Sequence, residues 1–516
     1  VFFFMNSCQD VKRPLSQGPL IGGFELLAPE QTGIDFNNTM TESKAFNHYF
    51  YSQMYVGSGV AIGDINNDGL ADVYFGGNQV SDRLYLNKGS FKFDDITKKS
   101  KAAVNSGWTW GVTMADINAD GYLDIYVSRN GNSLNLEDRR NQLYINNQDL
   151  TFTESALKYG LADVGFSTQA VFFDMDNDGD LDMYQVNQPA DKKVLLINRV
   201  EEKDYKFFRD RIYRNDNGIF RDVSDSVGIS RDIAYGLSVN ATDFNNDGWM
   251  DLYVANDYSE PDFMYYNNGD GTFKNVINEQ LQHITQLSMG SDTGDVNNDG
   301  LIDLITTDMT PEDHYRSKTN MGSMSTQAFN NMVEAGAHHQ YMANALQVNT
   351  GKGSFSDVAN MAGISNTDWS WASLLVDLDN DGWKDIVVSN GIKKDVDNND
   401  YRIILNNLDK KNTSADELYQ LSKNTPSQPI SNYAFKNKGD LQFEKVTKEW
   451  GFDSPSFSNG MAYGDLDNDG DLDLVTNNID APAFIYENKA TGNFLKIKLE
   501  GSERNRFGYG AKAVIH

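Results

Sequence analysis

Residues 64–72 read DINNDGLAD. Oxygen-bearing side chains fall at alternate positions, Asp64, Asn66 and Asp68; Gly69 follows and Asp72 closes the stretch. Taken alone, the string fits a hairpin turn, half of an EF-hand or a cation cage of another kind. It recurs as DINADGYLD from Asp116, DMDNDGDLD from Asp174, DFNNDGWMD from Asp243, DVNNDGLID from Asp295, DLDNDGWKD from Asp377 and DLDNDGDLD from Asp465. Seven copies with fixed internal spacing are not a chance feature.

In a tight loop of this pattern, positions 1, 3 and 5 turn inward together. Position 7 offers its main-chain carbonyl, and position 9 returns a carboxylate. The expected ligands are Asp64, Asn66, Asp68, Leu70 and Asp72 in the first loop, and Asp116, Asn118, Asp120, Tyr122 and Asp124 in the second. The third uses Asp174, Asp176, Asp178, Asp180 and Asp182, and the fourth Asp243, Asn245, Asp247, Trp249 and Asp251. The fifth uses Asp295, Asn297, Asp299, Leu301 and Asp303, and the sixth Asp377, Asp379, Asp381, Trp383 and Asp385. The seventh uses Asp465, Asp467, Asp469, Asp471 and Asp473. An all-oxygen set suits Ca²⁺, which takes roughly 6–8 oxygens, better than Mg²⁺ with its tight octahedron and retained waters. Up to seven Ca²⁺ are expected. Gly at position 6 in every copy allows the left-handed turn that brings position 7 round.

An EF-hand needs a bidentate Glu at position 12 and flanking helices. Position 12 here is Phe75, Val127, Gln185, Val254, Thr306, Val388 or Thr476, and none is acidic. Asx-turns explain one such loop. Seven clusters of like charge at close range are unfavourable without a cation.

The flanks show what positions the loops. Small and apolar residues alternate before each loop, as in GVAIGDI and GMAYGDL. A β-branched or aromatic run follows, as in DVYFGG and DLYVAN. Both read as strands. A third strand follows, as in RLYLNKG, and a fourth is marked by Phe93, Phe220, Phe273, Phe355 or Phe443, more weakly by Phe152. Four short strands plus turns need roughly 40–50 residues, the size of a propeller blade. Loop-to-loop spacings of 52, 58, 69, 52, 82 and 88 residues leave room for insertions. FELLAPEQTGI at 24–34 matches a fourth strand but precedes the first loop. It is expected to complete the last blade and so remove an exposed edge. The fold class expected is all-β: a seven-bladed β-propeller of four-stranded antiparallel blades with Ca²⁺ loops and small helical insertions, spanning residues 21–490.

These loops and strands resemble the FG-GAP/VCBS repeats, which are similar to those of the integrin α-subunit propeller. The resemblance covers roughly residues 24–487 and implies seven blades with Ca²⁺ in blade hairpins. At the C-terminus, NFLKIKLEGSERNRFGYGAKAVIH resembles the opening of an ASPIC/UnbV domain through Asn505, Arg506, Gly508, Gly510 and Ala511. Residues 491–516 are expected to begin such a domain; the alternative is that 494–499 form a last blade strand. VFFFMNSCQD resembles the tail of a bacterial lipoprotein signal peptide, with Cys8 as the lipidated residue and 1–20 as signal remnant and tether. Cys8 is the sole cysteine, so no intrachain disulfide forms. No other apolar run approaches the ~20 residues of a membrane-spanning helix. The expected location is therefore the outer membrane or cell surface of a bacterium, with membrane contact through the lipid alone.

Two insertions stand out. Residues 308–345 carry Met321, Met324, Met332 and Met342 among helix-compatible residues, with His338 and His339 adjacent. Short helices packed on one face are expected, with the histidines in packing and hydrogen bonding rather than metal or acid–base work. Residues 391–432 include SADELYQLSKN, a capped helix by pattern. DVDNND at 395–400 lacks the Gly and trailing Asp of the loops. Insertions on a rigid ring are where binding specificity is expected to reside.

The formal charge of −30 argues against nucleic acid as partner. Nearly every clustered acid is a loop ligand, which leaves few groups for general acid–base work. The sequence therefore favours a non-enzymatic surface scaffold that binds protein or glycan, compatible with a place in an outer-membrane complex. A polysaccharide lyase or hydrolase is the alternative.

Overall fold

The computed structural model describes residues 23–103, 107–131, 135–189, 205–229, 233–258, 260–320, 326–408 and 413–513. Cys8, Met321 and Met324 lie outside the described residues.

Seven four-stranded antiparallel sheets form a closed ring. In the first blade the strands are Val60–Gly63, Asp72–Phe75, Arg83–Asn87 and Phe93–Asp95, in chain order from the axis outward. The innermost strands of the other blades are Trp108–Ala115, Ser167–Phe173, Tyr235–Thr242, Ser291–Gly294, Asp368–Val376 and Ser458–Gly464. Each touches the next, and the last touches the first. Small residues line the axis because the strands converge there. Gly59 donates its amide to the Trp110 carbonyl at 2.7 Å, and a Cβ on Gly460 would collide with the Ser58 carbonyl.

Second strands such as Asp124–Asn130 and Asp385–Asn390 are buried along their whole length, since blades pack on both of their faces. That is why each carries an unbroken apolar stretch, residues 125–127 and 386–388, and not alternation. The fourth strands of the first six blades are three residues long, with a buried Phe followed by two exposed residues in most of them.

Phe24–Leu27 pairs antiparallel with Phe484–Asn488, Phe24 opposite Asn488 and Leu27 opposite Ile485. The N-terminal strand thus completes the seventh blade, as its sequence pattern implied.

The face at the starts of the innermost strands is covered by three segments. Residues 34–57, which no repeat pattern singled out, bury Met40, Tyr51, Met54 and Tyr55 there. The first insertion supplies helices His314–Thr319 and Thr326–Glu334. It also supplies Met309–Thr310, a fifth strand on the sixth blade, and Gln340–Tyr341, which pairs parallel with Ile284–Thr285. The second insertion supplies helices Asn399–Asn406 and Ala415–Asn424, the latter with a capping box between Ser414 and Glu417. Arg316 locks the insertions to the ring: its guanidinium grips Asp368 at 2.7 and 2.9 Å and Asp395 at 3.3 Å, all three buried.

Residues 489–513 add no strand to the seventh blade. They run instead across the face that carries the acidic loops. Among the described residues no helix is long and apolar enough to cross a membrane.

Candidate functional site: the loop ring and the opposite chamber

Each acidic loop joins an innermost strand to the second strand of its blade, so all seven lie at one end of the ring. Position 9 is first a clasp. In every loop one of its carboxylate oxygens accepts the amide of position 2 at 2.8–3.0 Å, as Asp72 does from Ile65. The other accepts the amide of the asparagine that ends the third strand at 2.7–2.9 Å, as Asp72 does from Asn87. A carboxylate oxygen keeps a second lone pair, so this role leaves coordination open. Burial pushes these carboxyls up: Asp124, Asp182, Asp385 and Asp473 to about 8, and Asp72, Asp251 and Asp303 to about 7.

Position 3 divides the loops. In four of them an asparagine amide donates to the position-5 carboxylate: Asn66 to Asp68, Asn118 to Asp120, Asn245 to Asp247, Asn297 to Asp299, at 2.9–3.0 Å. In the other three, acidic oxygens converge within 4.8 Å of one another. The groups are Asp174, Asp176 and Asp182; Asp377, Asp379 and Asp385; and Asp465, Asp467 and Asp469. One oxygen each of Asp174, Asp176, Asp379 and Asp465 is buried without a hydrogen-bond partner. Lys436 offsets part of this in the sixth loop, against Asp379 and, at 3.0 Å, Asp381. Position 7, expected to act through its carbonyl, also brings a buried carboxylate in the third and seventh loops. Asp180 has one orphaned oxygen and Asp471 two, and burial pushes both carboxyls up to about 7. Orphaned, converging, all-oxygen acids are the donor set a hard divalent cation requires. The residues fit Ca²⁺, most strongly where position 3 is Asp.

Position 4 was not a candidate by spacing, yet it links the loops. Asn67 donates its side-chain amide to the Gly121 carbonyl of the next loop at 2.8 Å. Asn177 does the same to Gly248, Asn298 to Gly382, Asn380 to Gly470 and Asn468 to Gly69. All five have φ of 56–62°. Asn tolerates that left-handed conformation, and its presence at position 4 in six copies was the available signal. The third-strand asparagines form a second set of ties. Asn146 donates to the Ile65 carbonyl of the preceding loop at 2.7 Å, and Asn87, Asn267, Asn349, Asn437 and Asn488 make equivalent bonds.

At the opposite end lies a chamber of about 700 Å³. Its floor is the mouth of the central channel, with Leu237, Met289 and Trp371. Its walls carry Trp110 and Trp369, and the first insertion covers it with Phe329, Met332, Val333 and Met342. The His338 ring nitrogens face the Leu281 and His339 carbonyls, both at 3.1 Å, and His339 packs beside Phe329. Neither arrangement is an acid–base pair.

The FG-GAP-like repeat model matches residues 64–127, 133–184, 243–306 and 335–388. The chain carries FG-GAP-like repeats. Each matched stretch opens on or spans a loop and its two strands. The FG-GAP-like chain is also similar to cartilage acidic protein 1 of Mus musculus, 22% identical over 98% of this chain and 70% of the relative. With the Homo sapiens protein of the same name it shares 23% over 89% of this chain and 62% of the relative. It thus spans about two thirds of the length of these curated relatives. A solved structure described as recognition of non-reducing terminal N-acetylglucosamine by an Agrocybe aegerita lectin aligns over 77% of this chain and 82% of that one. The identity is 16% and the TM-score 0.41, too loose a likeness to transfer a ligand.

Proposed function

We propose that this FG-GAP-like propeller is a Ca²⁺-braced, non-enzymatic scaffold that binds a protein or glycan through the chamber face. One observation carries the reading. The three segments that build this face carry exposed large apolar residues: Phe50 on the first, Tyr315 and Tyr341 on the second, Ile403 and Ile404 on the third. Exposed apolar side chains around an apolar chamber are the features of a docking surface. In this reading the loop ring supplies rigidity, each cation joining strands that would otherwise hold repelling carboxylates. Residues 491–516 open an ASPIC/UnbV-like segment, and Cys8 carries a lipid that holds the scaffold at a bacterial outer surface, beside the partners of an envelope complex.

The test combines capture and stability. Purified protein and a Val333→Arg variant are presented to a glycan array and to detergent-solubilised outer membranes. Capture by the native protein and loss in the variant support the reading; equal capture by both removes the chamber face from it. Turnover in a polysaccharide cleavage screen, abolished by His338→Ala, would replace the scaffold with an enzyme. Chelation with EGTA should lower the melting temperature and Ca²⁺ restore it; an unchanged melt would remove the cations.

A further inference from the structure

The segment 494–512 lies over the loop ring and places four basic side chains on it. Lys496 Nζ sits 3.2 Å from Asp465 and 2.8 Å from the Asn468 side-chain oxygen. Arg504 lies 3.5 Å from Asp178, 3.9 Å from Asp180 and 3.3 Å from the Asn217 side-chain oxygen. Arg506 donates to the Ala119 carbonyl at 2.8 Å. Lys512 Nζ donates to the Asn246 side chain at 2.6 Å and the Gly300 carbonyl at 2.9 Å. Phe494 lies against Gly470, where a Cβ would collide with its ring.

The placement follows the ring. Arg506 and Lys512 bind at its two open joints, since Ala119 has no amide to donate and Asn246 makes no bond to Gly300. Lys496 and Arg504 bind the seventh and third loops, the two in which position 7 is also Asp. Of those position-7 residues, Asp471 is more than nine-tenths buried and the Asp180 side chain nearly so, and both hold orphaned oxygens described above. Asp465 and Asp178 are position-1 and position-5 cation ligands in the proposed scheme. The same anionic clusters therefore face a cation from inside the loop and a basic side chain from outside.

We propose that Ca²⁺ and this strap compete: cation occupancy of the third and seventh loops loosens residues 494–512, and the docked strap lowers the Ca²⁺ affinity of those loops. The inference rests on the Ca²⁺ reading above. Two positive groups sharing one set of carboxylates repel. Equilibrium linkage makes the effect reciprocal.

Hydrogen exchange of amides 501–511, read by mass spectrometry with EGTA and with Ca²⁺, is compared with calorimetric Ca²⁺ titration. Ca²⁺ should speed exchange by about fivefold, and the K496Q/R504Q variant should bind Ca²⁺ about fivefold tighter, within the usual range of coupling. Arg506 bonds to a main-chain carbonyl of the second loop, and its charge acts on Asp116 there and not on the third or seventh loop. Arg506→Gln should also raise the Ca²⁺ affinity of those two loops by freeing the strap. Ca²⁺ binding with unchanged or slower exchange, or with no gain in the variants, overturns the competition alone. Absence of any Ca²⁺ binding overturns the cation reading and the competition together.

Discussion

Asn468 donates its side-chain amide to the Gly69 carbonyl at 2.7 Å, joining the last acidic loop to the first across 399 residues. The same bond links four other neighbouring pairs, so the loops form a belt of two arcs, the fifth through the second and the third with the fourth, and not seven independent turns. The belt is open at two joints: at Ala119, the one copy without Asn at position 4, and at Asn246, whose side chain meets Lys512 and not the Gly300 carbonyl.

Replacing Asn468 with Ala removes this bond together with the exposed Lys496 contact and leaves a β-carbon at φ 62°. The expected loss is about 1–2 kcal/mol of stability. Ala119→Asn relieves the strain of Ala at φ 59° and offers an amide to the third loop, with an expected gain of about 0.5–1 kcal/mol. Denaturant titration of both variants measures the pair. Equal stabilities would mean that the belt contributes nothing.

Deleting residues 23–28 leaves Phe484–Asn488 as an open edge and exposes the seventh-blade core. The melting temperature should fall by roughly 5 °C or more, and the protein should self-associate through the bare strand. A monomer with an unchanged melt by calorimetry and light scattering would sink the closure.

Arg316→Ala leaves Asp368 and Asp395 buried without their cation. Breaking a buried pair in this way costs about 3–5 kcal/mol. Because Arg316 ties both insertions to the sixth blade, protease nicking should appear first within 308–345 and 391–432. Nicking confined to other blades would contradict this.

Asp210 is buried before the third strand of its blade, accepting the Asn187 amide and the Tyr184 hydroxyl at 2.8 Å. Burial pushes its carboxyl up to about 7, and the same holds for Asp262 at about 7 and Asp82 at about 6. The folded state binds these protons more tightly than the unfolded chain, so the stability these groups contribute is greatest at low pH and is lost as pH rises from about 4 through about 7. Asn141, Asn344 and Asn432 hold the equivalent place in other blades and accept the same kind of main-chain amide. Asp210→Asn should therefore fold, lessen the pH dependence by the share of this one group and gain on the order of 2 kcal/mol at pH 8. Melting curves from pH 5 to pH 8, with Ca²⁺ present throughout, provide the check.

The acidic positions, the glycine turns and the strand periods were legible because each is dictated locally. A left-handed residue needs Gly or Asn, and a half-buried strand needs alternation. The N-terminal closing strand was legible too, since a fourth-strand pattern without a blade has one vacant place in a ring. The cover of the chamber face by residues 34–57 was not, for a segment with no repeat has no period to reveal its partner.

The sequence by itself therefore determined the blade, its count and the acid cluster in each hairpin. Only the tertiary structure decided that position 9 is a clasp shared with the third-strand asparagine, that position 4 binds the next loop, and that basic residues near 500 return to the loop face. Those contacts join residues tens to hundreds of positions apart. Their energies depend on distance in space, which ring closure sets and local pattern does not encode.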